Sequence, residues 1–455
     1  MIFLSSLAQV AGASSSKNSA LSILISTAAL STVIALISAS GLSATAQTLT
    51  LSEKIVNMER GLEQEFEGYF GADLAEVTQP PEEIAKTLSQ VGQETGTNPA
   101  VLWAIPKADH LHLVLITPSG EPIVRDLYDV PEDVLSQAVD DFHLEMNGPE
   151  AGMFAARKLH KWMIEPFEAN YLKAEGIDTI LFCLGNGLRS LPLAALSDGE
   201  SFLLERYSLT RIPAFNLIQT DYSPIEQEQV LAMGASEFQE LSPLPAVSAE
   251  LENVLAAWKS THQIEQTGHA FLNEDFTLAN LKHQLDTESP DIVHLATHAI
   301  FKPGAPDNSY IQLWNEPLKL NNIRDVNWQN PSVELLVLSA CRTAVGDDEA
   351  ELGFAGITLQ SGAKSALASI WNVSDTGTLA LMSEFYQQMG STSTKAEALR
   401  QAQLKMLRGE VRVDNDKLQL SRGEMPLPTG VDRAEASDLS SPYYWAAFTM
   451  VGSPW

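Results

Sequence analysis

The sequence predicts an α/β protein, with a mostly parallel central sheet covered by helices and a smaller α+β region ahead of it. Three observations carry this. From residue 151 onward, strand-length apolar runs alternate with helical stripes, the order that builds a parallel sheet with helices on both faces. The runs Ile180–Leu184, Val230–Met233 and Val333–Leu338 are almost continuously apolar, as strands buried on both faces are. No repeat of solenoid period runs through the chain.

Residues 1–16 carry no structural signal. Lys17 precedes an apolar stretch from Leu21 to about Leu42, and Ala44-Thr45-Ala46 follows. This is the pattern of a secretory signal cut after Ala46. Left uncut, residues 21–42 are long enough to anchor the chain in the inner membrane. Both readings put the remainder in an exported location, periplasmic or extracellular; a misassigned start codon is the third.

Residues 47–150 form the first region. Leu51–Phe70 has helical character and stops at Gly71. Pro80-Pro81 breaks the chain, and Glu82–Val91 resumes a helix. Ala100–Ile105 and Leu111–Ile116 read as a strand pair joined by Pro106–His110. His110 and His112 read as turn and strand residues rather than ligands, because no cysteine or acid with metal-like spacing stands near them.

The main domain spans 151–455. Ala155, Leu159, Trp162 and Met163 give one helix a buried stripe. A strand at 179–184 and a turn at Gly185–Gly187 follow, then an acidic connector at 221–229 and the strand 230–233. Leu251–Trp258 and Leu278–Leu285 have helical spacing, and the second leads into Asp291–Phe301. Beyond Cys341 come a helix over Phe354–Gly362, a strand over Ser365–Ile370, and helices through Met382–Met389 and Leu399–Met406. Residues 409–441 are polar, with Pro and Gly, and read as a long flexible excursion. Tyr443–Val451 reads as a closing strand with its aromatic residues in the core.

Composition excludes several functions. Against 58 acidic residues stand 28 Lys and Arg, a formal charge of −30. Phosphate backbones need a basic surface, so nucleic acid is not a partner; the acidity serves solubility. Two cysteines make neither a disulfide framework nor a cysteine-rich zinc site. Cys183, inside an apolar run, reads as a small buried hydrophobe. Neither a Gly-x-Ser-x-Gly elbow nor a phosphate-binding loop is found. His294 and His298 are four apart, a zinc spacing on a helix, but Leu-Ala-Thr between them lacks the glutamate of a zinc peptidase and the segment reads as strand.

The chemistry concentrates in two stretches, Asp291-Ile-Val-His-Leu-Ala-Thr-His298 and Val333-Glu-Leu-Leu-Val-Leu-Ser-Ala-Cys341. Each is an apolar run ending in reactive residues. Sites in open α/β sheets lie just past the carboxyl ends of the strands, so His298 and Cys341 are expected at one lip. A thiol with an ordinary pKa of about 8.5 needs a base to become a nucleophile. A histidine in hydrogen-bond reach supplies one and later protonates the leaving amine. The backbone N–H of Cys341 is placed to hold the oxyanion.

The segments His294–His298, Leu338–Thr343, Gly346–Gly356, Leu188–Ala195, Lys364–Trp371 and Pro442–Phe448 together resemble the CHAT domain, a caspase-like cysteine peptidase family, over roughly residues 150–455. Residues 50–145 resemble what precedes this domain in cyanobacterial members, without the tetratricopeptide repeats that some members carry. The resemblance implies a caspase-like α/β sandwich, a His298/Cys341 dyad, and a protein or peptide substrate cut without metal or cofactor. His298 stands 43 residues ahead of Cys341, in the order and near the spacing of about 50 known for caspases. Caspase-like enzymes commonly place a glycine after the histidine, its amide completing the oxyanion hole; here that position is Ala299, whose N–H is expected to join that of Cys341 in the hole although alanine disfavours positive φ. Arg342 is either solvated or a substrate contact. Asp347 and Asp348 either favour a basic residue before the scissile bond or belong to a solvated loop. The expected function is a regulatory cysteine endopeptidase; the alternative is a catalytically silent CHAT-fold interaction module.

Overall fold

The computed structural model describes residues 49–74, 78–146, 153–222, 229–262, 268–326, 328, 332–343, 347–371, 373–431 and 438–455; the side chains of 261, 262 and 340–343 lie outside that description. Thr50–Trp455 form one compact unit. Among the described residues no helix is long and apolar enough to cross a membrane, and the stretch 21–42 lies outside them.

In chain order the elements begin with α1 (Leu51–Phe70), α2 (Pro81–Thr95), β1 (Pro99–Lys107), β2 (His110–Ile116), β3 (Ile123–Leu127), α3 (Glu132–Met146) and α4 (Phe154–Met163). Then come β4 (Thr179–Leu184), β5 (Ser208–Ile212), β6 (Val230–Gly234), α5 (Val247–His262), β7 (Gly268–Leu272), α6 (Leu278–Glu288), β8 (Ile292–Phe301), β9 (Tyr310–Gln312) and β10 (Pro317–Lys319). The last part holds β11 (Leu335–Thr343), α7 (Asp348–Ala355), α8 (Ile357–Ser361), β12 (Ser365–Ser369), α9 (Asp375–Met389), α10 (Lys395–Leu407), β13 (Arg412–Asp414), β14 (Lys417–Gln419), β15 (Glu424–Pro426), α11 (Pro442–Trp445) and β16 (Phe448–Gly452).

The described strands build one large sheet in the order β10-β9-β8-β11-β12-β16-β5-β4-β1-β2-β3, with β6 and β7 joined to the amino-terminal half of β8. Its centre is parallel: β8, β11 and β12 run together, as do β16, β5, β4 and β1, with the step from β12 to β16 antiparallel. This is the α/β sandwich with a mostly parallel sheet that the sequence predicts. The hairpin of β1 and β2 forms as expected, and with β3 it extends this same sheet to its far edge.

Alternation along β11 shows the two covered faces. Leu335 and Val337 pack with Phe385, Tyr386 and Leu399 of α9 and α10. Leu336 and Leu338 pack with Phe354 and Ile357 of α7 and α8. Successive strand residues point to opposite faces, so an unbroken apolar run is what a doubly covered strand requires.

Three expectations are corrected. Residues 409–441 are not one flexible excursion: β13, β14 and β15 form a small antiparallel sheet with Val411 and Leu418 fully buried, while 432–437 lie outside the described residues. Asn415 and Asp416 at φ 50° and 60° make its tight turn, which the right-handed strand twist favours. The single helix expected over Phe354–Gly362 is instead α7 and α8, broken at Gly356, where a Cβ would collide with the ring of Phe70. The closing strand starts only at Phe448, because Pro442 opens α11 and Ser441 caps it from outside.

Candidate active site

β8 and β11 are hydrogen-bonded parallel neighbours, and their carboxyl ends carry His298 and Cys341. Up to the Leu338–Leu295 pair the register would, continued unbroken, set Cys341 opposite His298. A bulge between Leu338 and Ala340 shifts it by one, so Ala340 stands opposite His298 and Cys341 opposite Ala299. With strands about 4.8 Å apart and residues about 3.3 Å apart along each, the Cα atoms of His298 and Cys341 are about 6 Å apart. Bulges of this kind recur beside active sites, where they re-aim side chains. The side chain of Cys341 is outside the described residues.

His298 is half-buried, with its ring 4.8 Å from that of Phe238. Its Nε2 lies 2.9 Å from the carbonyl oxygen of Ser242. A carbonyl only accepts, so Nε2 carries a proton, and Nδ1 is the ring nitrogen left to accept one. His298 lines a cleft of about 420 Å³ together with the 241–245 segment, Ile300, Val373–Thr376 and Gly430-Val431.

Asp375 is the acid among the described residues lining that cleft. It is the first residue of α9, after the N-cap Ser374, just beyond the carboxyl end of β12. Burial pushes its carboxyl up to about 6, against the Ala246 N–H that it accepts and with the negative charge of Glu250 adding to the rise. The carboxyl ends of the adjacent parallel strands β8 and β11 and the segment that follows β12 therefore bring His298, Cys341 and Asp375 to the same end of the sheet.

His294 is not a second ligand beside His298. It is fully buried, with Nε2 2.9 Å from Glu250 of α5 and Nδ1 3.2 Å from the Tyr386 hydroxyl of α9. Both nitrogens are engaged, and the bonds tie β8 to the two helices over this face.

The remaining expected residues fall as follows. Ala299 is fully buried and paired on both sides, with Cys341 in β11 and Ile311 in β9. Its φ is not positive, so alanine fits the position without strain. Arg342 stands opposite Ile300, its side chain outside the description. Asp347 caps α7, accepting the Ala350 N–H at 3.0 Å; Asp348 is exposed on its first turn. Neither lines the cleft beside His298. Cys183 is fully buried in β4, its thiol donating to Pro213 O at 3.4 Å and pushed well above its ordinary pKa by burial and by the carboxylate of Glu59. It is a core residue. Sequence reasoning missed Ser242 and Asp375. The carbonyl of Ser242 has no sequence signature. Asp375 had one, a polar Ser-Asp pair directly after a buried strand and at a helix start.

The fold and site define an α/β sandwich with an oriented histidine and a nearby cysteine at the end of its parallel strands. Residues 154–453 match the model of the CHAT domain, and the chain belongs to that family. No curated protein matches the chain. Among solved structures it is similar to separase in the Saccharomyces cerevisiae separase–securin complex, at 10% identity and TM-score 0.49, over 90% of this chain and 34% of that one. The chain thus spans about a third of that separase chain. It is also similar to gingipain R, an Arg-specific cysteine proteinase, at 10% identity and TM-score 0.40, over 71% of this chain and 74% of that one. The complex of Porphyromonas gingivalis RgpB pro- and mature domains gives 10% identity and TM-score 0.40, over 78% of each chain.

Proposed function

We propose that the protein is a cysteine endopeptidase that cleaves protein substrates in a regulatory role, with His298 and Cys341 as its dyad. The observation that carries this is the locked imidazole of His298: Ser242 O holds Nε2–H, and Nδ1 is left as the base at a cleft edge, one register step from Cys341. Membership of the CHAT family supports the same reading.

In this mechanism Nδ1 takes the thiol proton, and the thiolate of Cys341 attacks the scissile carbonyl carbon. The carbonyl oxygen becomes an oxyanion and accepts the Cys341 N–H. As the C–N bond breaks, Nδ1–H protonates the departing amine. Water, deprotonated by Nδ1, then hydrolyses the thioester and returns the thiol. Throughout, Ser242 O stabilises the imidazolium through Nε2–H, the orienting role that a third group plays in such sites. The scheme requires the thiol on the His298 face, whereas the register past the bulge pairs Cys341 with Ala299, which faces the other way, so the thiol reaches Nδ1 only where Cys341 departs from that alternation. Asp375, across the cleft, suits a cationic side chain of the substrate beside the scissile bond.

The silent interaction module is favoured by one observation: the Ala299 amide lies between two strands, so it cannot serve an oxyanion until β9 or β11 moves. A thiol-directed activity probe separates the readings. Labelling of the wild type that is lost in both Cys341→Ala and His298→Ala supports the dyad. Labelling that survives His298→Ala sinks it, and no labelling under any condition leaves the module. The location proposed is outside the inner membrane; protein purified from cells would then begin at Gln47 if the leader is cut after Ala46.

A further inference from the structure

At the sheet edge opposite β8, the hairpin of β2 and β3 brings together three side chains that the sequence keeps apart. His110 opens β2, and His112, two residues on, lies on the same strand face. Asp126 of β3 stands directly opposite His112 in the ladder. Asp126 Oδ1 is 2.5 Å from His112 Nδ1 and 3.5 Å from His110 Nε2. The ligand atoms of all three residues lie within 4.8 Å of one another.

We propose that His110, His112 and Asp126 bind a borderline divalent transition metal, with Zn²⁺ the best match, through two imidazoles and one carboxylate. Bonds of about 2.0–2.1 Å to a tetrahedral ion set its ligand atoms about 3.3–3.4 Å apart. The His110–Asp126 pair already has that spacing. The His112–Asp126 pair is hydrogen-bonded and opens by about 1 Å as the ion takes the place of the shared proton.

The surroundings prepare the donors. Asp109 Oδ1 lies 2.7 Å from His110 Nδ1, the carboxylate–histidine arrangement that fixes the tautomer and leaves Nε2 to a metal. The ring of Tyr128 packs on His110 at 4.8 Å and holds its plane. The side chains of His110, His112 and Asp126 are 17%, 25% and 35% exposed, so an ion can enter and keep water in a fourth position. Imidazole donors favour zinc, copper, nickel or iron over magnesium and calcium, which take oxygen. The ion would clamp the terminal strand β3 to β2, far along the sheet from His298, so this inference stands apart from the peptidase reading.

The test is calorimetric titration of the metal-stripped full chain with zinc chloride, with cobalt chloride absorbance as a second readout of coordination. One ion per chain and a four-coordinate cobalt spectrum are expected. Outer-shell partners are worth about 10–100-fold in affinity, so Asp109→Asn should weaken zinc about tenfold, and His112→Ala and the near-isosteric Asp126→Asn more than that. His269→Ala, on exposed β7, should change nothing. No saturable binding overturns the proposal. So does a loss smaller than tenfold in both His112→Ala and Asp126→Asn, since the ion would then sit elsewhere. Should His112→Ala fail to fold, Asp126→Asn alone decides.

Discussion

Glu59 lies on α1 and is fully buried, with its carboxylate accepting the Trp103 indole N–H at 2.7 Å and the Asn216 N–H at 3.1 Å. Burial pushes its pKa from 4.5 up to about 7; the N–H donors of Trp103, Asn216 and Phe215 resist the rise and the neighbouring Glu63 adds to it. The folded protein therefore holds this proton across a range where the unfolded chain has released it. A raised carboxyl favours folding fully below pH 4.5, progressively less between 4.5 and 7, and not at all above. At about 1.4 kcal/mol per pH unit, the whole swing is about 3 kcal/mol. Glu59→Gln keeps the shape and removes the titration. Gln has one carbonyl oxygen, so the variant carries a constant offset from the donor it fails to meet. Urea unfolding of wild type and variant at pH 4, 6 and 8 separates the two effects. The difference in unfolding free energy should move by about 3 kcal/mol across that range, with the wild type relatively weaker at pH 8. A difference that stays flat to within about 1 kcal/mol would refute the reasoning, and would mean that water or movement of α1 solvates the carboxylate.

Two further outcomes follow from the site and the core. If Asp375 anchors a cationic side chain, the preference of kcat/KM for Lys or Arg peptides over neutral ones should grow as pH rises through about 6, where its carboxyl ionises. Asp375→Asn should cut that preference about tenfold or more, equivalent to about 1.4 kcal/mol, and flatten its pH dependence; an unchanged preference removes Asp375 from substrate recognition. Cys183→Ala should lower stability by about 1–2 kcal/mol through the lost packing and the lost bond to Pro213, read by urea unfolding, and should leave probe labelling untouched. Labelling that drops in a Cys183→Ala variant whose folding is intact would reassign the reactive thiol.

How far the sequence could be read follows from where its information sits. The strands β4, β6, β8, β11 and β12 were legible because burial on both faces demands a continuous apolar run, and composition alone records that. The short strands β13–β15 were not, because a surface sheet buries little beyond Val411 and Leu418 and its composition is that of a loop. At the candidate site, His298 and Cys341 stand out in the sequence because each ends such a run. Their relation does not: the bulge that moves Cys341 from His298 to Ala299 is one extra residue in one strand, a property of the ladder between segments 43 residues apart. The same holds for the groups that finish the cleft. Ser242 contributes a backbone carbonyl, which every residue has, and Asp375 matters only once β12 lies beside β11. It holds most clearly for His110 and His112. Local spacing rules find ligands that neighbour one another along the chain, whereas Asp126 reaches His112 only because β3 folds back in a register that pairs them. Pairing in space is set by turns and bulges, so partnerships across strands are the part of a site that sequence spacing leaves unread.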